Sequence, residues 1–112
     1  MILIRRVFLC FTILLWIGCR SGNPEKGKVL FDSRGCSYCH SIGKGKIQGP
    51  DLKNVTVRYN KNDLRKWLAD PETIYKEVGR RPLNPGYSPM PRVVLTEEEI
   101  HDLVAFLSVD HE

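Results

Sequence analysis

The chain has 112 residues, enough for one small domain but too few to bury a large apolar core unless a cofactor or cross-link contributes to it. Hydrophobic residues make up 42% of the chain, which is typical of a folded protein and argues against disorder. The formal net charge is +4, or +2 without residues 1–18 (15 Lys and Arg against 13 Asp and Glu), and so small an excess does not indicate a nucleic-acid partner.

Residues 1–18 have the organisation of an export signal. Two arginines precede twelve largely apolar residues, 7–18, which end in a glycine before Cys19. A charged start, a short apolar segment and a small residue at the cleavage point are typical of a secretory signal peptide, and roughly 20 apolar residues would be needed to span a bilayer. The tetrapeptide WIGC resembles the lipobox of bacterial lipoproteins, although tryptophan stands where leucine is usual. This resemblance implies a lipidated Cys19 and a short tether, 19–24; the alternative is an ordinary signal peptide followed by a chance cysteine.

The next predicted element is a helix over residues 25–34. Gly27, Leu30 and Phe31 are spaced i, i+3 and i+4, so they form one apolar stripe on a helix. This helix leads directly into the sequence GCSYCH, residues 35–40.

The pair Cys36 and Cys39, followed at once by His40, carries the chemistry of the chain, and it is compatible with three kinds of site. A redox dithiol requires a strand–helix setting that the flanking sequence does not offer. A structural zinc ion requires four ligands, and the other histidines, His101 and His111, are far away in an acidic segment. Covalent haem attachment matches the motif itself, since the spacing of the two thiols suits the two haem vinyl groups and places a histidine beside the iron.

Residues 24–107 therefore resemble a small monohaem c-type cytochrome of the class I, His/Met type. The resemblance implies an all-α, cytochrome c-like fold, in which three to five short helices in residues 25–109 wrap around one haem c. It also implies covalent attachment through Cys36 and Cys39, with His40 as the proximal iron ligand. The haem would then supply the core that so short a chain lacks.

Two further site residues are implied by the same resemblance. The sequence Gly49-Pro50-Asp51-Leu52 is similar to the Gly-Pro-x-Leu of the family, in which the proline carbonyl accepts the second ring N–H of the haem histidine. Trp67 resembles the family tryptophan that packs near the haem and hydrogen-bonds a propionate; the alternative is an ordinary core tryptophan.

Two short helices are predicted after this loop. Leu64, Trp67 and Leu68 form an apolar stripe that ends before Pro71. Asp70, Pro71 and the acidic residue after them are typical of a second helix start, and this helix is predicted to end near Gly79.

Met90 is the candidate for the second axial ligand. It is the only methionine besides Met1, and Pro89 and Pro91 stiffen the backbone on both sides of it. The segment resembles the methionine loop of the family, whose axial pair is His/Met. The alternatives are that Met90 merely fills space in the core, or that His101 is the ligand.

The last predicted element is a helix that begins after Thr96. Thr96 and Glu99 form a capping-box pattern, and apolar residues recur at helical spacing up to Leu107. In the family the first and last helices cross where a glycine meets an aromatic residue. Gly27 and Phe106 match these two positions.

The predicted function is one-electron transfer at the periplasmic side of a membrane, without enzymatic activity of the chain's own. With both axial positions filled, iron has no site for a substrate. The expected partners are a quinol-oxidising complex as donor and a terminal oxidase or reductase as acceptor. Residues 26–92 hold 14 basic and 6 acidic residues, so basic groups near the haem segments would steer an acidic partner; these are Lys44, Lys46, Lys53 and Arg92. Two alternatives remain: a fixed haem subunit of a larger dehydrogenase or oxidase, and a sensor or peroxidase with an open iron site.

Overall fold

The computed structural model describes residues 22–79 and 86–111, and over these ranges the protein is entirely helical. Short 3-10 turns lie at Cys36–Tyr38 and Val55–Val57, and the described residues contain no strand. The predicted all-α class is therefore confirmed. None of the described helices combines the length and apolar character that crossing a membrane requires. The four α-helices are α1 (Pro24–Ser33), α2 (Lys61–Ala69), α3 (Pro71–Val78) and α4 (Glu97–Leu107).

Local capping signals define where the first and last helices begin. Asn23 precedes α1, and its side-chain oxygen accepts the backbone N–H groups of Glu25 and Lys26 at 2.9 and 3.2 Å. Pro24 is the first residue of α1, at the end of the predicted tether. The predicted capping box of α4 is present, because Thr96 and Glu99 each bind the other's backbone N–H with the side chain.

The two helices in the middle of the chain also follow the sequence. α2 ends at Ala69 and α3 begins at Pro71, with Asp70 between them. The Asp70 carboxylate accepts the hydroxyl of Thr73 at 2.9 Å. α3 ends as predicted at Gly79, which has φ +77°, a left-handed conformation that favours glycine.

The crossing of α1 and α4 is the main helix contact of the fold. A Cβ atom at Gly27 would collide with the backbone carbonyl of Asp102 and would lie 2.7 Å from Cβ of Phe106. The rings of Phe31 and Phe106 lie 5.5 Å apart beside this crossing. The predicted approach of Gly27 to Phe106 is thus confirmed, and its cause is that only a residue without a side chain fits here.

A hydrogen bond fixes the start of the fold against α4. The buried Asp102 accepts the backbone N–H of Asn23 at 2.8 Å. The apolar core then forms where α1, α2 and α4 converge with the turn at Val55. The buried core residues are Phe31, Val55, Leu64, Leu103, Val104 and Leu107.

Candidate functional site: a cavity lined by two thiols, an imidazole and a thioether

A cavity of about 370 Å³ adjoins this small core, and every core residue except Val104 also lines it. Protein interiors are close-packed and seldom contain voids much larger than a water molecule. A volume of this size is within the range of cofactor sites, roughly 300–1,000 Å³. The polar or reactive side chains of the cavity wall include Cys36, Cys39, His40, Trp67, Tyr75 and Met90.

The cysteines and the histidine reach one cavity because of a tight turn. Gly35 has φ +81° and redirects the chain out of α1 into the 3-10 turn. The backbone N–H of His40 then donates to the carbonyl of Cys36 at 2.9 Å, and Cys39 N–H donates to the same carbonyl at 3.1 Å. Both thiols are free, and burial raises the pKa of the Cys36 thiol. Because reactive dithiols depend on a lowered pKa, this environment argues against the redox-dithiol alternative.

The imidazole of His40 is held in a defined orientation. Nδ1 of His40 lies 2.8 Å from the carbonyl oxygen of Pro50. A carbonyl can only accept, so Nδ1 carries the proton and donates, which leaves Nε2 as the ring atom with a lone pair for a metal. The structure thus shows the contact expected between these two residues.

Gly49 is a part of the site that the sequence analysis did not single out. A Cβ atom at this residue would lie 2.8 Å from Nδ1 and 3.1 Å from Nε2 of His40 and would collide with the carbon between them. The backbone of Gly49 is fixed by its N–H, which donates to the carbonyl of Cys39 at 2.7 Å. The absence of a side chain therefore makes room for the histidine ring.

The loop between His40 and Pro50 is organised by Asp51. This exposed carboxylate accepts the backbone N–H groups of Gly43, Gly45 and Lys53 at 2.8 to 2.9 Å. These hydrogen bonds lower the pKa of Asp51, with Gly43 contributing most. The loop is thus pinned close to the residue that orients His40.

The thioether side of the cavity is positioned by a tyrosine. The backbone N–H of Met90 donates to the hydroxyl oxygen of Tyr75 at 2.8 Å, and both residues line the cavity. Tyr75 is 5% exposed and lies on α3, one turn after the buried Pro71. That i, i+4 spacing was the available signal for a buried face, but the contact with Met90 spans 15 residues and has no local sequence signature.

Trp67 lies between two tyrosines on the cavity wall. Its ring is 6.3 Å from that of Tyr59 and 5.5 Å from that of Tyr75, and both pairs are edge-on. The row of three aromatic rings thus continues from α2 to the tyrosine that holds Met90.

The rival ligands occupy other places. The described residues that line the cavity do not include His101 or His111. A ring nitrogen of His111 lies 3.1 Å from the carbonyl oxygen of Phe106, and its ring packs edge-on against the Phe106 ring. Within residues 22–79 and 86–111, no group of three or more His, Cys, Asp or Glu side chains could hold a metal ion, so the zinc alternative gains no support. Cys19 lies outside the described residues.

Two thiols three residues apart, an adjacent histidine and a cavity larger than any packing defect define a covalent haem-binding domain. The comparisons with known proteins agree, since the Cytochrome c family model matches residues 24–109. The chain belongs to the cytochrome c family.

Two curated relatives and one solved structure show the extent of this similarity. Over 84 residues the chain is 31% identical to the small cytochrome component of nitric oxide reductase from Stutzerimonas stutzeri, covering 73% of this chain and 54% of that one. Over 35 residues it is 43% identical to cytochrome c-551 of Azotobacter vinelandii, covering 31% of this chain and 42% of the relative. The cytochrome c domain of the pp3183 protein from Pseudomonas putida superposes with a TM-score of 0.60 at 31% identity, over 72% of this chain and 83% of the other. The chain thus spans about half the length of these curated relatives or less.

Family membership gives the protein a covalently attached haem c and a role in electron transfer. The residues present fit that cofactor. Cys36 and Cys39 are the cysteines of the attachment motif, and the cavity they line is otherwise mostly walled by apolar side chains. A covalent haem in this cavity replaces the core that the short chain cannot build from side chains alone.

Proposed function

We propose that the protein is a one-electron carrier in which His40 and Met90 are the two axial ligands of the haem iron. The observation that carries this proposal is that one cavity is lined by the attachment cysteines, by His40 and by Met90. When bound, haem c supplies an iron that alternates between the ferric and ferrous states. With both axial positions taken by side chains of this chain, no position is left for an exogenous substrate.

The surrounding residues support this role by fixing the two ligands. The Pro50 carbonyl holds the proton on Nδ1 of His40, which orients the ring and raises its basicity as a ligand. The Tyr75 hydroxyl holds the backbone of Met90. Ligands that are held in place move little between oxidation states, and this favours rapid electron transfer. The apolar walls exclude water, and nitrogen–thioether ligation together with burial favours the reduced state.

Partner docking is proposed to use the basic groups near the cavity. Lys44, Lys46 and Lys53 lie in or next to the loop that orients His40, and Arg92 follows the Met90 segment; all four residues are exposed. Weak, fast and salt-sensitive association suits a shuttle, and redox complexes have small interfaces. The proposed partners are a quinol-oxidising complex as donor and a terminal oxidase or reductase as acceptor. Raising the ionic strength should therefore slow electron transfer to the partner.

We further propose that the protein acts outside the cytoplasm, anchored by a lipid on Cys19. The supporting observations are the apolar run of residues 7–18 and the WIGC sequence. The fold begins at Asn23, whose backbone N–H binds Asp102, so few residues separate the anchor from the domain. Metabolic labelling with a radioactive fatty acid should mark the wild-type protein, and the label should be absent from Cys19→Ser.

A second candidate is a fixed electron-relay component of a larger oxidoreductase. The observation that favours it is the 31% identity to a protein named as a subunit of nitric oxide reductase. A partner chain that copurifies in equal amount from native membranes would support the fixed relay. Recovery of this chain alone in a form that is reoxidised by a separately purified oxidase or reductase would support the shuttle.

Carbon monoxide tests the proposed closed site against a sensor or peroxidase. The ferrous protein should show no spectral shift when carbon monoxide is added, because Met90 occupies the position that the gas would need. A rapid shift in the wild-type protein would contradict the carrier and indicate an open site.

A further inference from the structure

Lys46 connects two segments that both line the cavity. Its ammonium group donates a hydrogen bond to the carbonyl of Gly86 and lies 4.4 Å from the centre of the Tyr87 ring. Lys46 belongs to the loop that follows His40, whereas Gly86 and Tyr87 belong to the segment that leads to Met90. One side chain therefore joins the loops that carry the two proposed axial ligands.

The loop that carries Lys46 is rigidly held on either side of it. The hydroxyl of Ser41 donates to the carbonyl of Gly45 at 2.6 Å, and the Asp51 carboxylate accepts the N–H of Gly45 at 2.9 Å. After Lys46, Ile47 N–H donates to the carbonyl of Gly49 at 3.2 Å. Lys46 thus reaches out from a fixed base.

The other end of the contact is shaped to receive the ammonium group. Gly86 has φ +84°, and a Cβ atom there would lie 3.3 Å from Nζ of Lys46. The aromatic face of Tyr87 attracts a cation, and the ring also lines the cavity. A carbonyl oxygen and an aromatic face are thus both presented to one charged group three or four residues before Met90.

We propose that Lys46 is a positioning residue that keeps the Met90 loop closed over the haem cavity. The inference rests on the proposed ligation by Met90. When a thioether leaves an iron atom, the loop that carries it must move outward. Such a movement would separate Gly86 and Tyr87 from Lys46, so these contacts oppose opening. The loop 86–90 is then held at two points, by Tyr75 at the Met90 backbone and by Lys46 at its start.

Imidazole competition measures this closure directly in the ferric holoprotein. Added imidazole takes the position of the thioether, and the weak absorption band that reports the iron–thioether bond disappears. The imidazole concentration for half displacement is compared among wild type, Lys46→Ala and Lys28→Ala. Lys28 is an exposed lysine of α1, so Lys28→Ala matches the loss of charge away from the cavity-lining segments.

Lys46→Ala should lower this concentration by about two- to fivefold, the factor that one exposed cation–π contact is worth. Opening becomes less costly, so the competing ligand binds with higher apparent affinity. Lys28→Ala should match wild type. An unchanged value in Lys46→Ala, or an equal change in both variants, would overturn the positioning role while leaving Met90 ligation intact. A wild-type protein that lacks the band would instead overturn Met90 ligation, and the positioning role with it.

Discussion

Gly27→Ala tests the helix crossing that frames the haem cavity. The added methyl group would collide with the Asp102 carbonyl and would lie 2.7 Å from Cβ of Phe106. An ordinary contact with that atom, at about 3.4 Å, would require α1 and α4 to separate locally by about 0.7 Å. The clash involves backbone and Cβ atoms, which no side-chain rotation can move away.

The expected cost follows from two opposing effects. Inserting a methylene into a packed interior costs about 1–3 kcal/mol, and a clash with backbone belongs in the upper part of this range. Alanine is favoured over glycine inside a helix by roughly 0.5–1 kcal/mol, which partly offsets the loss. We therefore expect Gly27→Ala to lower the free energy of unfolding by about 1–2 kcal/mol.

Urea unfolding of the holoprotein, followed by circular dichroism, measures this change. Lys28→Ala places the same new residue at the neighbouring exposed position, and it should change stability by less than about 0.5 kcal/mol. A Gly27→Ala protein as stable as wild type, or more stable, would refute the close-packed crossing.

Three further predictions concern the cavity and its loop. Gly49→Ala should press a methyl group against the His40 ring, lowering both the yield of haem-loaded protein and the free energy of unfolding by about 1–3 kcal/mol. Tyr75→Phe removes the acceptor of the Met90 N–H, at a cost of about 0.5–1.5 kcal/mol, so imidazole should displace the thioether more readily. The pKa of Asp51 is lowered in the fold, so its stabilisation is complete above the ordinary value of 3.8 and is lost as the pH falls through the folded value; Asp51→Asn should flatten the acid loss of stability.

Each of these variants has a matched control that changes an exposed residue. The reasoning fails if Gly49→Ala loads haem as well as its control, if Tyr75→Phe resists imidazole as wild type does, or if Asp51→Asn leaves the pH dependence unaltered below about pH 4. The controls, in the same order, are Ile47→Ala in the same loop, Tyr38→Phe with its ring in solvent, and Asp110→Asn near the end of the chain.

The features that local sequence could predict are those whose causes lie within a few residues. The capping box of Thr96 and Glu99, the helix end at Gly79 and the Cys36–Cys39–His40 turn all depend on contacts over three to five positions. Periodicity and capping rules are therefore sufficient to find them.

The remaining features depend on contacts between distant segments. Met90 meets Tyr75 across 15 residues, and Lys46 meets Gly86 across 40. Nothing in the residues around Lys46 distinguishes it from an exposed, partner-binding lysine, so the sequence predicts only that role. The side chain engages its own chain as well, because the loop folds its base toward the Met90 segment.

The His40–Pro50 contact belongs to an intermediate class. Its ten-residue separation is short, yet a Gly-Pro sequence alone indicates only a turn. The contact is predictable because the resemblance to a family supplies the spatial relation. The role of Gly49 is hidden for the opposite reason, since a missing side chain is informative only when the neighbouring ring is visible.

The optical spectrum of the ferric holoprotein tests the central claim, ligation by His40 and Met90, most directly. Wild type should show the weak band at the red end of the spectrum that reports an iron–thioether bond. Met90→Ala should lose this band while keeping its haem through denaturation, because Cys36 and Cys39 still attach it. A wild-type spectrum without the band, or a band that persists in Met90→Ala, would contradict the account.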